Sequence, residues 1–150
     1  MVSELLEHGP DILFPSQAFP VAFRTAMAGL TLIQSDIVFI CLDLIRDILT
    51  HDSLDPPAVP PPKFPIYTAA IKSVVDKEGL DLTGLLLTGL VGDFPSDSAS
   101  SVITIFRVLA KLWPSQLLAW LPTVLQQLPS NTTPDQVKQA FLAEVTQYVL

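Results

Sequence analysis

Proline placement is the strongest constraint on what this chain can fold into. The proline ring fixes φ and removes a backbone donor, so it fits the first turn of a helix and disrupts the middle. Of the 14 prolines, Pro20, Pro65, Pro114 and Pro134 each stand near the start of a run whose apolar residues recur at helical spacing. Thr133-Pro134-Asp135-Gln136 is a capping-box pattern, with threonine at the cap and glutamine three residues on. Ser35-Asp36 and Ser96-Asp97 pair a capping serine with an acid in the positive first turn. These signals predict helices over 17–33, 36–50, 64–78, 80–93, 97–112, 114–128 and 134–149. "SSVITIFRV" has β-branched residues, but Val102, Ile105, Phe106, Leu109 and Leu112 keep helical spacing, so it too reads as helix. The expected class is all-α, with about seven helices joined by short turns that favour antiparallel neighbours.

Two helices and their connection occupy about 35–45 residues, the period of HEAT and armadillo helix-pair solenoids. Residues 16–150 are therefore expected to form a HEAT-like array, behind a poorly ordered tail over 1–15. A compact helix bundle is the competing architecture. Gly84, Thr88 and Gly92 form a small-residue stripe at i, i+4, i+8, which is expected to let a neighbouring helix approach closely. "AFLAEVTQYVL" stays apolar to the last residue, whereas solenoid ends carry polar caps. The expectation is a segment of a longer array.

The chain is 49% hydrophobic and only 15% charged, against ~25% charged in a typical soluble domain. That apolarity raises a membrane span as an alternative. The window "LTLIQSDIVFICLDLIRDIL" contains Asp36, Asp43, Arg46 and Asp47, too many charges for the ~20 apolar residues a span needs. No membrane insertion is expected; the excess apolarity reads as helices buried on more than one side. The acidic start lacks the basic region of a secretory leader. The lone cysteine, Cys41, suits a reducing compartment, where the Asn131 sequon stays unglycosylated. A net charge of −7 argues against direct nucleic-acid binding and allows basic partners.

No nucleophile–base pair, glycine-rich phosphate loop or paired-cysteine motif is present, so no enzyme and no cofactor is expected. Asp47 and His51 share a helix face with Asp52 and Asp55 nearby, but one histidine with loose carboxylates is a poor metal site. A histidine ending a helix, where it favours the negative pole, is the simpler account. His8 has no assignable role. Asp36, Asp43 and Asp47 fall at i, i+7, i+11 on one helix, opposite Val38, Cys41, Ile45, Ile48 and Leu49. Ile37, Ile40 and Leu44 crowd one flank. The stripe is either the solvated face of an amphipathic helix or an acidic protein-contact surface. Trp113 and Phe106 read as core, and Trp120, beside a kink at Pro122, as half-buried. "HDSLDPPAVPPPKFP", residues 51–65, holds six prolines. Pro57 and Pro60 have the spacing of a PxxP ligand, but Lys63 falls one residue late for it. The segment 52–63 reads as an inter-repeat loop.

Three stretches carry a family resemblance: "FRTAMAGLTLIQSDIVFICLDLIRDILTHDSL", residues 63–129, and "TPDQVKQAFLAEVTQYV". Together they resemble the C-terminal HEAT repeats of importin-β superfamily nuclear transport receptors, in the transportin-SR and importin-thirteen branch of fungal type. The most specific piece runs from Asp93 to Pro129: an acid and a proline after one helix, a helix closing on Leu112-Trp113, then "LLAWLPTVLQQLP". The resemblance implies a RanGTP-regulated carrier that shuttles between nucleus and cytoplasm, binding protein cargo of basic or RS-rich type, Ran and nucleoporins. It implies no catalytic residue. The family's N-terminal Ran-binding repeats and middle cargo repeats have no counterpart in these 150 residues. The rival from another class is a small helical adaptor whose proline-rich loop binds an SH3 or WW domain.

Overall fold

In a computed structural model, residues 8–32, 34–51, 54, 62–92, 94–128 and 134–149 are described. The all-α class holds: among these residues every regular element is helical. The elements are α1 (Pro10–Leu13), α2 (Ala18–Gly29), α3 (Ser35–Leu49), α4 (Phe64–Val91), a 3-10 turn at Ser96–Ser98, α5 (Ala99–Leu112), α6 (Pro114–Gln127) and α7 (Asp135–Val149). Pro10 and Pro114 open their helices, Pro20 and Pro65 sit in first turns, and Pro134 immediately precedes α7. In each case the missing N–H falls where the helix has no internal acceptor for it. The expected capping serines act differently. Ser35 is the first helical residue and gives no cap bond; Ser98, not the expected Ser96, stands at the N-cap of α5, and it donates its hydroxyl back to the Pro95 carbonyl at 2.6 Å. Thr133 and the loop 52–63, apart from Leu54, Pro62 and Lys63, lie outside the described residues.

The chain divides into two compact units, residues 1–78 and 79–150. In the first, α2 packs against α3. Phe19, Phe23, Ala26 and Met27 of α2 are buried, as are Val38, Leu42, Ile45, Ile48 and Leu49 of α3. Each fully buried large side chain contributes about 1.5–3 kcal/mol. In the second, α5 packs against α6 and α7, and α6 against α7. Val102, Ile105, Leu109, Leu117 and Leu121 are its most enclosed aliphatic side chains on α5 and α6.

Trp113 alone separates α5 from α6, and it is 2% exposed. Its N–H donates to the Leu109 carbonyl at 2.8 Å, and its own carbonyl accepts the Leu117 N–H at 2.9 Å. One residue thus closes one helix and opens the next. Pro114 bars Trp113 from the helical region, and its φ of −128° and ψ of 52° turn the chain. At the far end of α6, the Leu128 carbonyl accepts the buried Lys138 Nζ at 2.5 Å. A lysine from α7 therefore satisfies a carbonyl at the negative end of α6. Lys138 is also 3.8 Å from Asp135 Oδ1.

Two sequence expectations need correction. The helices expected at 64–78 and 80–93 are one helix, α4. Gly79 does not break it, because the Trp120 indole of α6 lies against its bare Cα. A Cβ there would come within 2.6 Å of Trp120 Cζ3. The Thr83 hydroxyl adds a bond to the Gly79 carbonyl at 2.8 Å. The small-residue stripe is not where helices close in. A Cβ on Gly84 would meet only Val124 Cγ2, at 3.9 Å. Gly92 faces its own Thr88 carbonyl.

The segment expected as a tail is described from residue 8: α1 covers Pro10–Leu13, and Leu13 and Phe14 are buried. Phe14 packs edge-on to Phe19 at 5.0 Å between ring centres. Asp11 accepts a hydrogen bond from the Tyr67 hydroxyl and pairs with Lys63 Nζ at 2.7 Å. Bonds from Lys63 and then Tyr67 hold the Asp11 carboxyl below its ordinary range. The acceptor on Asp11 pushes the Tyr67 phenol up to about 12.

Two outcomes follow. Gly84→Ala should stabilise the protein by about 0.5–1 kcal/mol through helix propensity, whereas Gly79→Ala should not, because the indole must move; urea denaturation reads the contrast. Asp11→Asn should return Tyr67 toward the ordinary phenol range, read by tyrosinate absorbance in a Tyr148→Phe background. The Asp11 contribution is present above the ordinary aspartate pKa and fades as pH falls through the lowered one. The Tyr67 contribution is present below the ordinary tyrosine pKa and fades as pH rises through about 12.

Candidate protein-contact surface

Helix α3 is amphipathic because its apolar residues recur at three- and four-residue steps. The row Val38, Leu42, Ile45, Ile48 and Leu49 is buried. Cys41, expected in that row, is only partly covered. Its thiol pKa is raised by partial burial. Leu42 takes the fully buried place. Across the helix pair, a Cβ on Gly29 of α2 would run into the Cys41 thiol, so the bare glycine lets α2 and α3 approach closely.

The opposite face carries the predicted acids. Asp36 is exposed, and the side chains of Asp43 and Asp47 are 51% and 45% exposed. All three stand on one side of one helix, as their spacing requires. Two further residues shape this face. Ile40 lies at i+4 from Asp36 and i−3 from Asp43, and at 68% exposure it is an apolar knob within the acidic row. Its spacing carried that signal. Arg46 reaches both acids beside it, Asp43 Oδ1 at 3.2 Å and Asp47 Oδ1 at 3.4 Å. The face therefore presents two acids bridged by a guanidinium, an isoleucine, and a third acid at the helix start, where the dipole favours it. Such a surface can hold a partner that brings cationic groups and one apolar contact.

His51 follows α3 and is built into an aromatic cluster. Its ring meets Phe14 edge-on at 5.1 Å, Tyr67 at 5.9 Å and Phe64 at 6.4 Å. The backbone N–H of His51 donates to the Ile48 carbonyl. Asp52 and Asp55 lie outside the described residues. Among those described, no group of three or more metal-ligating side chains forms, and no helix is long and apolar enough to cross a membrane. Trp120, half-buried as expected, is occupied by Gly79.

The Arg46 pairs are half-exposed, so Arg46→Gln should cost under ~1 kcal/mol at low salt and nothing measurable at high salt. Urea denaturation at two ionic strengths checks this; a larger, salt-independent loss would mean that Arg46 packs rather than pairs. Compared with known proteins, the chain matches no family model and no curated protein.

Proposed function

We propose that this chain is a protein-binding helical scaffold, forming part of the C-terminal arch of an importin-β-type nuclear import receptor. The observation that carries the binding role is the outward face of α3, where Asp36, Ile40, Asp43 and Asp47 stand in one row on a helix whose other side is core. The receptor identity rests on the likeness of the three quoted stretches. Within the most specific of them, the helix that closes on Leu112-Trp113 corresponds to α5, and residues 117–127 of the "LLAWLPTVLQQLP" stretch lie in α6. Successive helices joined by as little as one residue suit a stacked-pair array, in which curvature and surface do the work and each pair touches its neighbours.

In this reading the cargo is a basic, RS-rich protein of the RNA-binding kind. Ran and nucleoporins engage other parts of the receptor, and the protein shuttles between nucleus and cytoplasm. The chain has no catalytic step to perform and needs no cofactor. Asp43 and Asp47 supply charge, Asp36 extends the row, and Ile40 supplies the apolar contact. Electrostatic complementarity of this sort chiefly sets encounter rate and partner choice.

Asp43→Lys with Asp47→Lys should weaken binding of an arginine–serine-repeat peptide at least ~10-fold, about 1.4 kcal/mol. The helical circular dichroism should be unchanged, because both side chains are half-exposed. Fluorescence anisotropy measures the affinity. Equal affinity of the double variant and the parent would refute the electrostatic contact.

A further inference from the structure

The second unit holds a cleft that the proposed cargo surface does not use. Its volume is about 360 Å³, and it opens between α5 and α7 with Leu90 of α4 at its edge. Val102, Ala110 and Leu117 form a buried floor, and Phe106 and Phe141 are its partly covered aromatics. Ile103 at 46% and Leu90 at 41% exposure leave apolar surface open at the rim. On α5 the lining residues Ile103, Phe106, Arg107 and Ala110 fall at i, i+3, i+4, i+7. On α7 Phe141, Glu144 and Val145 fall at i, i+3, i+4. Each helix thus turns one stripe toward the cleft.

Two charges border this apolar surface, Arg107 from α5 and Glu144 from α7. Both are exposed. Among the described residues neither makes an ion pair or side-chain hydrogen bond, with the other or with any third group. An apolar patch flanked by one cation and one anion on facing helices is complementary to a copy of itself. Under a two-fold axis, residue i of one subunit meets residue j of the other, and j meets i.

We infer that this face pairs two copies of the chain, with Arg107 of each protomer against the partner's Glu144 and the rims of Ile103 and Leu90 closing over the clefts. The balance of charge selects this occupant. The chain as a whole carries −7, so its surface in general repels a second copy. Here the local charges cancel, and two opposite pairs form at once. A basic partner would find Glu144 but be repelled by Arg107; an acidic one would meet the reverse. The inference is independent of the cargo reading, which concerns α3.

Sedimentation equilibrium over a concentration series tests it on the 150-residue chain. The parent should dimerise. Arg107→Glu and Glu144→Arg should each raise the dimer dissociation constant at least ~10-fold, since like charges then face each other twice. The double variant, Arg107→Glu with Glu144→Arg, should recover the parent value because the pairs re-form with reversed sign. Ile103→Asp should weaken the dimer in the same direction through the apolar rim. A parent that stays monomeric overturns the proposal and leaves the cleft to a different ligand. A dimer indifferent to both single reversals, or a double variant that fails to recover, overturns it equally. Arginine–serine-peptide binding by Arg107→Glu should match the parent, which separates this test from that of the cargo surface.

Discussion

The indole of Trp120 resting on Gly79 is the contact on which much of this structure turns. Glycine in the middle of a helix costs about 1 kcal/mol relative to alanine, and the local composition of α4, with Gly79, Gly84 and Gly89 within its span, works against a long helix. Yet the helix runs unbroken from Phe64 to Val91. At Gly79 the space of the missing Cβ is taken by the six-membered ring of Trp120, which returns packing where the helix lacks a side chain. The same glycine carbonyl accepts a bond from Thr83, so its polar group is served as well. The boundary between the two compact units falls at this residue, within the helix rather than in a loop.

Trp120 reaches that position because of the corner seven residues earlier. Trp113 and Pro114 allow no slack between α5 and α6. The tryptophan serves both helix ends through its backbone while its side chain is sealed in the core. A one-residue connection fixes the register of α6, and with it which residues face inward. Pro122 lies inside α6, so the Leu118 carbonyl loses its usual donor; the helix nonetheless continues to Gln127. Beyond its end, Lys138 donates to the Leu128 carbonyl from the following helix. Few charged residues are available in this chain, and this one is spent on closing a helix.

Much of this was legible in local spacing. Helix starts at Pro114 and after Pro134, and the entry through Phe64-Pro65, follow from what proline forbids. The acidic row of α3 follows from a period of 3.6, which places Asp36, Asp43 and Asp47 together whatever else the fold does. Features that depend on distant partners were not legible. Gly79 reads as a break until Trp120 is known to cover it. Pro10-Asp11 has the form of a helix start, but the anchoring of that turn depends on Lys63 and Tyr67, more than fifty positions away. Arg46 was visible beside Asp47, yet its bridging of two acids depends on its side-chain path. The placing of Arg107 and Glu144 at one cleft requires α5 and α7 to pack, which spacing within either helix does not announce.

The account stands or falls on helix α4 being continuous through Gly79. Native-state amide hydrogen exchange resolved by residue measures this directly, because amides in a helix interior exchange only through opening of the structure. The account predicts that the amides of Leu80 to Thr83 are protected to the level of Ile71 and Leu86 in the same helix. Fast, turn-like exchange confined to residues 79–83, with protection on either side, would contradict it.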